Sequence, residues 1–146
     1  MELPGAALFR NERVRVLLWA FFLSCATESL TVVKEDPDDE NYEILKENRA
    51  RLEECRDEES RCFNIIELPM PGHIEHEGQR LPASYANFYI ANGIVLVPTY
   101  RSKNDQRALD ILQKEMPKHK IIGIDSTELI WGLGSFHCIS QQEPMP

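Results

Sequence analysis

The dipeptide Asn92–Gly93 constrains the fold of this chain more than any other feature, because it separates two apolar runs by only two turn residues. This spacing is typical of a two-residue β-hairpin turn. It predicts strands over residues 85–91 and 94–98. A helix with an apolar stripe is predicted over residues 104–116, and a further strand over residues 121–125. The sequence therefore predicts a β–β–α–β unit in an α/β (α+β) protein.

A second set of elements is predicted before this unit. Short apolar runs indicate strands over residues 30–33 and 63–68, and an amphipathic pattern indicates a helix over residues 41–55. The acidic residues at 36–40 come before that helix and the basic residues come later, which suits the helix dipole. We interpret this run of charges as a solvated helix face that carries no chemistry. No compositional linker separates the two sets of elements.

The segment over residues 69–82 is rich in proline and glycine and is predicted to be an irregular loop. It contains His73, Glu75, His76 and Glu77, residue types that can bind zinc. Nothing in the pattern fixes them on one face of a helix. We therefore expect loop residues here, with no metal site and no cofactor.

Charge and cysteine content narrow the classes of partner. The 146 residues include 24 acidic and 16 basic side chains, for a net charge of −8, which argues against nucleic acid as a partner and weakly fits a cationic small molecule. The four cysteines, at positions 25, 55, 62 and 138, contain no C-x-x-C pair. Their spacing matches no disulfide or zinc framework, so we expect reduced thiols and a cytoplasmic protein.

Residues 1–29 allow several interpretations. Three arginines precede an apolar run over residues 16–23, and small residues at 24–26 follow. This layout is typical of a secretory signal peptide, and the protein would be exported if residues 1–26 are one. The run is too short to span a membrane, so we expect no membrane contact. A buried strand or helix would also explain the apolar run.

Cys138 follows a short glycine-containing segment in which Gly132 and Gly134 flank one leucine. Glycine adopts backbone angles that other residues avoid, so this loop can approach a ligand closely. Two interpretations of the cysteine are open from the residues alone. It is either a nucleophile on a loop at a strand edge or a buried structural thiol.

The residues around the cysteine form a short run at the end of this glycine-containing segment. In an extended segment, Phe136, Cys138 and Ser140 would share one face, and His137 would point to the other. We therefore expect His137 not to be the base that activates the thiol.

Two motifs resemble those of a known family. The segment G-L-G-S-F-H-C-I-S-Q-Q-E-P over residues 132–144, and L-P-A-S-Y-A-N-F-Y-I-A-N-G over residues 81–93, resemble motifs of the agmatine deiminase family, which includes bacterial (Porphyromonas-type) peptidylarginine deiminases. The resemblance implies that Cys138 is the catalytic nucleophile. It also implies substrate-binding positions in the two motifs, namely Tyr85, Asn87 and Gly134.

The resemblance further implies a fold and a reaction. The fold is a pentein-type α/β propeller of ββαβ modules, and residues 30–146 represent about one and a half of them, at the C-terminal end of the family's catalytic domain. Residues 1–29 do not match the family, which adds a reading frame begun in the wrong place to their possible interpretations. The reaction is deimination of a cationic guanidino small molecule, agmatine, to N-carbamoylputrescine and ammonia through a covalent amidino-cysteine intermediate. Peptidyl-arginine is the alternative substrate, and a non-catalytic remnant or binding module of the same fold is the alternative function.

The family's carboxylates and catalytic histidine lie in upstream modules, and no positions match them here. The segment Gly72–Glu75 resembles the family's G-H-[IV]-D element, but it follows the predicted acidic turn and helix instead of preceding them. We therefore expect an incomplete chain that is inactive alone and that exposes normally buried module faces, which allows a homo-oligomer.

Overall fold

The computed structural model describes residues 21–22, 28–33, 35–57, 59–141 and 143. The chain divides into two compact units, residues 1–67 and 68–146, which are described separately. Most of the signal-like segment lies outside the described residues, so its interpretations stay predictions. Within the described part of the chain, no helix is both long enough and apolar enough to cross a membrane.

Among its described residues, the first unit contains a three-stranded sheet and one helix. Its elements are β1 (Phe21–Phe22), β2 (Glu28–Val33), α1 (Tyr42–Glu54) and β3 (Asn64–Pro69), the last of which ends two residues inside the second unit. The strand order is β1–β2–β3, with β1 antiparallel to β2, and α1 packs against β2. The three elements predicted over residues 30–68 are confirmed, with small changes in their bounds.

Helix α1 buries a narrow face and exposes the rest. Leu45 and Asn48 are buried, whereas the charged residues lie at the surface. Arg49 pairs with Glu53 at 2.5 Å, one helical turn away. Exposed pairs of this kind contribute only about 0–1 kcal/mol. The interpretation of this charge run as a solvated helix face is confirmed.

The second unit contains the predicted β–β–α–β arrangement. Its elements are β4 (Glu75–His76), β5 (Gln79–Arg80), β6 (Tyr89–Ala91), β7 (Ile94–Thr99), α2 (Asp105–Glu115), β8 (Lys120–Asp125), a 3₁₀ helix (Leu129–Gly132) and α3 (Phe136–Ile139). Strand β7 is central, antiparallel to β6 and parallel to β8. Parallel neighbours need a crossover, which α2 supplies while it packs against β8.

The hairpin between β6 and β7 has the predicted two-residue turn. Ala91 pairs with Ile94, and Gly93 has a φ of 78°, a conformation that glycine adopts without strain. On the central strand, Val95 and Val97 are fully buried. The buried strand β7 therefore anchors the segments that follow it in the chain.

Two predicted boundaries are wrong in this unit. Residues 69–82 are not an irregular loop throughout, because β4 and β5 pair as an antiparallel hairpin around Glu77 and Gly78. Both turn residues have positive φ, 50° and 77°, as a tight two-residue turn requires. The predicted strand over residues 85–91 shortens to β6, since Ser84 Oγ accepts a hydrogen bond from the backbone N–H of Ala86 and starts a turn.

Candidate active site

The candidate nucleophile lies on a single helical turn, α3. The preceding residue, Ser135, is extended, and its carbonyl accepts hydrogen bonds from the backbone N–H groups of Cys138 at 2.9 Å and Ile139 at 3.1 Å. The Cys138 side chain is exposed. A thiol at this position is open to an electrophile.

The prediction that Phe136, Cys138 and Ser140 share one face of an extended segment is wrong. Residues 136–139 are helical, so the two-residue alternation does not describe where these side chains point. A run this short cannot distinguish a strand from one helical turn, and the deciding contacts come from elsewhere in the chain. The expectation that His137 is not the catalytic base stays a prediction.

Both ends of the Asn87 side-chain amide form hydrogen bonds with the turn that carries Cys138. Its Oδ1 accepts from the backbone N–H groups of His137 at 3.0 Å and Cys138 at 3.3 Å. Its Nδ2 donates to Cys138 Sγ at 3.2 Å. The amide thus adds an acceptor for the N–H groups at the start of the turn, as an N-cap side chain does, and directs a donor at the sulfur. A donor at this position interacts more strongly with a thiolate than with a thiol.

Gly134 is buried directly against the cysteine. A Cβ at this position would lie 2.8 Å from Cys138 Cβ and 3.2 Å from its Sγ. Contacts below 3.0 Å force a shift, so only glycine fits without moving the turn. The sequence predicted that this glycine allows a close approach, and here the closely approaching group is the cysteine itself. Its predicted substrate-binding role stays a prediction.

Tyr85 lies in the buried core of the second unit. It is fully buried, and its hydroxyl donates to Asp105 Oδ1 at 2.6 Å. Burial and this carboxylate raise the pKa of Tyr85 well above its usual range. The phenol is therefore a neutral donor over the physiological pH range. The structure gives Tyr85 a supporting position in the core, and direct substrate contact stays a prediction.

The sequence did not single out Tyr100, which directly follows β7. Its ring is 2% exposed and lies 5.9 Å from the ring of Tyr85. Its hydroxyl donates to the Ser84 carbonyl at 3.4 Å, and burial raises its pKa to about 12. Tyr100 is more than 30 residues from Ser135 and Cys138, so no local pattern could have identified it, whereas Ser135 lies within the motif around Cys138.

A stacked pair of rings connects the β4–β5 hairpin to the 3₁₀ helix before the site. The rings of His76 and Trp131 are 4.1 Å apart and nearly parallel, at 12°. His73 pairs with Glu75 at 3.1 Å, on the same hairpin. Across the described residues, no three His, Cys, Asp or Glu side chains cluster as metal ligands would. The expectation of no metal stays a prediction.

Comparison with known proteins is decisive at the level of the family. A family model of Porphyromonas-type peptidyl-arginine deiminases matches residues 20–144. The chain belongs to this family. The match begins ten residues before the predicted domain boundary at residue 30, and that boundary stays a prediction.

Individual relatives agree with this assignment. An agmatine deiminase of Pseudomonas syringae pv. tomato is 34% identical in an alignment of 137 positions that covers 82% of this chain and 37% of the relative. A solved structure of a provisionally named arginine deiminase from Porphyromonas gingivalis has a TM-score of 0.79 at 40% identity, covering 82% of this chain and 35% of its own. The agmatine deiminase of Enterococcus faecalis has a TM-score of 0.75 at 31% identity, covering 81% and 37%.

These matches support a mixed α/β chain with the fold of the agmatine and peptidyl-arginine deiminases. They also show its extent, since the chain spans only 34% and 37% of two curated relatives. The family's enzymes are hydrolases that act on the C–N bonds of linear amidines.

Proposed function

We propose that Cys138 is the nucleophile of a deiminase that converts agmatine to N-carbamoylputrescine and ammonia. The observation that carries the proposal is the set of hydrogen bonds from Asn87, whose side chain holds both the Cys138 sulfur and the backbone of its turn. A structural thiol needs no such support. The exposed position of Cys138 also suits a nucleophile better than it suits a packing residue.

The reaction would proceed by covalent catalysis. The Cys138 thiolate attacks the guanidinium carbon, a C–S bond forms, and ammonia leaves after one nitrogen gains a proton. Water then attacks the amidino-cysteine carbon, the C–S bond breaks, and the thiolate returns with release of the ureido product. The Asn87 amide would hold the sulfur in line in both steps, and Gly134 would leave the turn room to stay in place.

Agmatine is the preferred substrate because the named relatives from Pseudomonas and Enterococcus are agmatine deiminases. The family description favours a second candidate, peptidyl-arginine. Both substrates carry the same guanidinium, so Cys138 would act identically on either. The groups that contact the rest of the substrate would decide between them.

We further propose that residues 30–146 form about one and a half ββαβ modules of a pentein-type propeller, in the cytoplasm and without a metal or cofactor. A cationic guanidinium needs carboxylates to bind it, and proton transfer needs a histidine. In the proposal these groups come from the part of the fold that this chain does not span. The chain alone would then be inactive and prone to self-association through module faces that are otherwise covered.

The purified chain should release no ammonia from agmatine or from an arginine peptide. Its oligomeric state is measured in parallel by light scattering, and its metal content by elemental analysis. Turnover by a monodisperse monomer, abolished in a Cys138→Ala variant, would overturn the expectation of inactivity. Stoichiometric zinc would overturn the expectation that no metal is needed.

A further inference from the structure

Ser135 combines two properties that its position at the start of α3 does not explain. It is fully buried, and its hydroxyl has no hydrogen-bond partner of normal geometry among the described residues. A serine before a helix usually caps the free backbone N–H groups with its Oγ. Here that bond is absent, because the Oδ1 of Asn87 occupies the same N–H groups. Buried hydroxyls without a partner are rare, and each calls for an explanation.

The phenol of Tyr100 is the candidate partner of this hydroxyl. Helix α3 packs against β7, and Tyr100 is the residue that follows β7. Burial raises the pKa of this phenol to about 12, and the Ser135 hydroxyl lies close enough to act against that rise. Both hydroxyls belong to buried residues, one directly after β7 and the other directly before the cysteine turn that packs against β7.

Tyr100 is itself held firmly in place. Its backbone N–H donates to both carboxylate oxygens of Asp105, each at 3.2 Å. The same carboxylate accepts from the Ser102 N–H at 3.1 Å and from the Tyr85 hydroxyl at 2.6 Å. Four hydrogen bonds thus converge on the Asp105 side chain at the start of α2. They hold the backbone of Tyr100, from which its phenol extends, in a fixed position.

We propose that Tyr100 and Ser135 form a positioning pair that sets the orientation of the Cys138 turn, a role that rests on the proposed function of Cys138 as a nucleophile. Tyr100 fixes Ser135 from the core side. Ser135 then fixes the turn through its carbonyl, which accepts from the backbone N–H groups of Cys138 and Ile139. The consequence is that the sulfur stays aligned with the Nδ2 donor of Asn87.

The experiment follows the reactivity of the thiol instead of turnover, so it uses the chain as it is. The rate of Cys138 carbamidomethylation by iodoacetamide is measured from pH 6 to pH 10 by peptide mass spectrometry, with Cys62 as an internal reference. Tyr100→Phe and Ser135→Ala remove one hydroxyl each, and the double variant completes a cycle. Ser135→Thr restores a hydroxyl, and Tyr89→Phe is the matched control, because it removes a phenol on β6.

We expect both single variants to slow Cys138 alkylation at pH 7 by about five-fold and to displace its pH–rate profile, a size usual for residues in contact. The double variant should be no slower than the slower single variant, and Ser135→Thr should recover most of the rate. Tyr89→Phe and the Cys62 rate should not change. Thermal unfolding of each variant separates this effect from lost stability.

The proposed pair is wrong if folded Tyr100→Phe protein has the wild-type pH–rate profile of Cys138 alkylation. It is also wrong if the rate losses of the two single variants multiply in the double variant. A different outcome bears on the nucleophile. If Cys138 in the unchanged chain reacts no faster than Cys62, the proposed function loses its support, while the comparison between variants still decides whether the pair positions the turn.

Discussion

The regions around Cys138 and Cys62 both present an exposed cysteine, yet they are built differently. Cys62 pairs with Arg56 in an isolated β-bridge that closes a surface loop. Within that loop Arg61 binds Asp57, whose pKa is lowered by the Arg61 backbone N–H, so the described contacts join residues only a few positions apart. Cys138 instead receives a hydrogen bond from a side chain 51 residues away. Long-range support, and not exposure, distinguishes the candidate nucleophile.

The test with the largest expected effect replaces each of the two cysteines in turn, in a complete enzyme. Residues 20–144 would replace the matching segment of the Enterococcus faecalis agmatine deiminase, which supplies the rest of the fold. Cys138→Ala in this chimera should lower kcat by about 10⁴-fold or more, the usual loss when a nucleophile is removed. Cys62→Ser should leave kcat within about three-fold, as expected of a surface substitution.

Ammonia release from agmatine measures both variants, and circular dichroism confirms that each is folded. The assignment of the nucleophile fails if the Cys138→Ala chimera keeps turning over. It also fails if Cys62→Ser alone abolishes turnover in a folded chimera.

A smaller effect is expected when the support is removed and the nucleophile is kept. Asn87→Ala deletes the donor to the sulfur and the acceptor that caps the turn. We expect kcat to fall by about 10²-fold to 10³-fold, as when one preorganised donor is lost. Loss of the cap should also lower the free energy of unfolding by about 1 kcal/mol. Asn64→Ala, at an exposed position on β3, is the matched control and should change neither quantity.

Kinetics of the chimera and urea unfolding of the chain give the two values for Asn87→Ala. Unchanged kcat would mean that the amide is only a structural cap. Equal losses from Asn64→Ala would show that any asparagine substitution is harmful, which would end the comparison between the two regions.

The sequence predicted the β–β–α–β unit well because its signals are local. Asn92–Gly93 specifies a turn by its own backbone preferences, and the apolar stripe of α2 appears within one segment. Ala108 and Leu112 on that stripe are fully buried, as the pattern predicts. Where one segment contains the whole signal, its structure can be read from the residues.

The β4–β5 hairpin and α3 were mispredicted for the opposite reason. Glu77 adopts a positive φ that its residue type rarely takes, so the pattern around it indicates only a loop. The turn that carries Cys138 is helical because Asn87 caps it from another part of the chain. The resemblance of two motifs to one family indicated Cys138 and Asn87 together, but their contact, and the buried hydroxyls of Tyr100 and Ser135 behind them, depend on the folded chain.

The smallest of the expected losses in kcat tests how tightly the Cys138 turn is packed. Gly134→Ala would place a Cβ 2.8 Å from Cys138 Cβ, so the turn must shift by several tenths of an ångström. Because such a shift misaligns the sulfur with the Asn87 donor, kcat of the chimera should fall by about 10-fold to 100-fold. Gly72→Ala is a matched control, since a Cβ there meets nothing within 4 Å and its φ is not positive. Equal kcat values for the two alanine variants would show that the turn yields freely, and the Cys138 region would then be no more tightly built than the surface loop that carries Cys62.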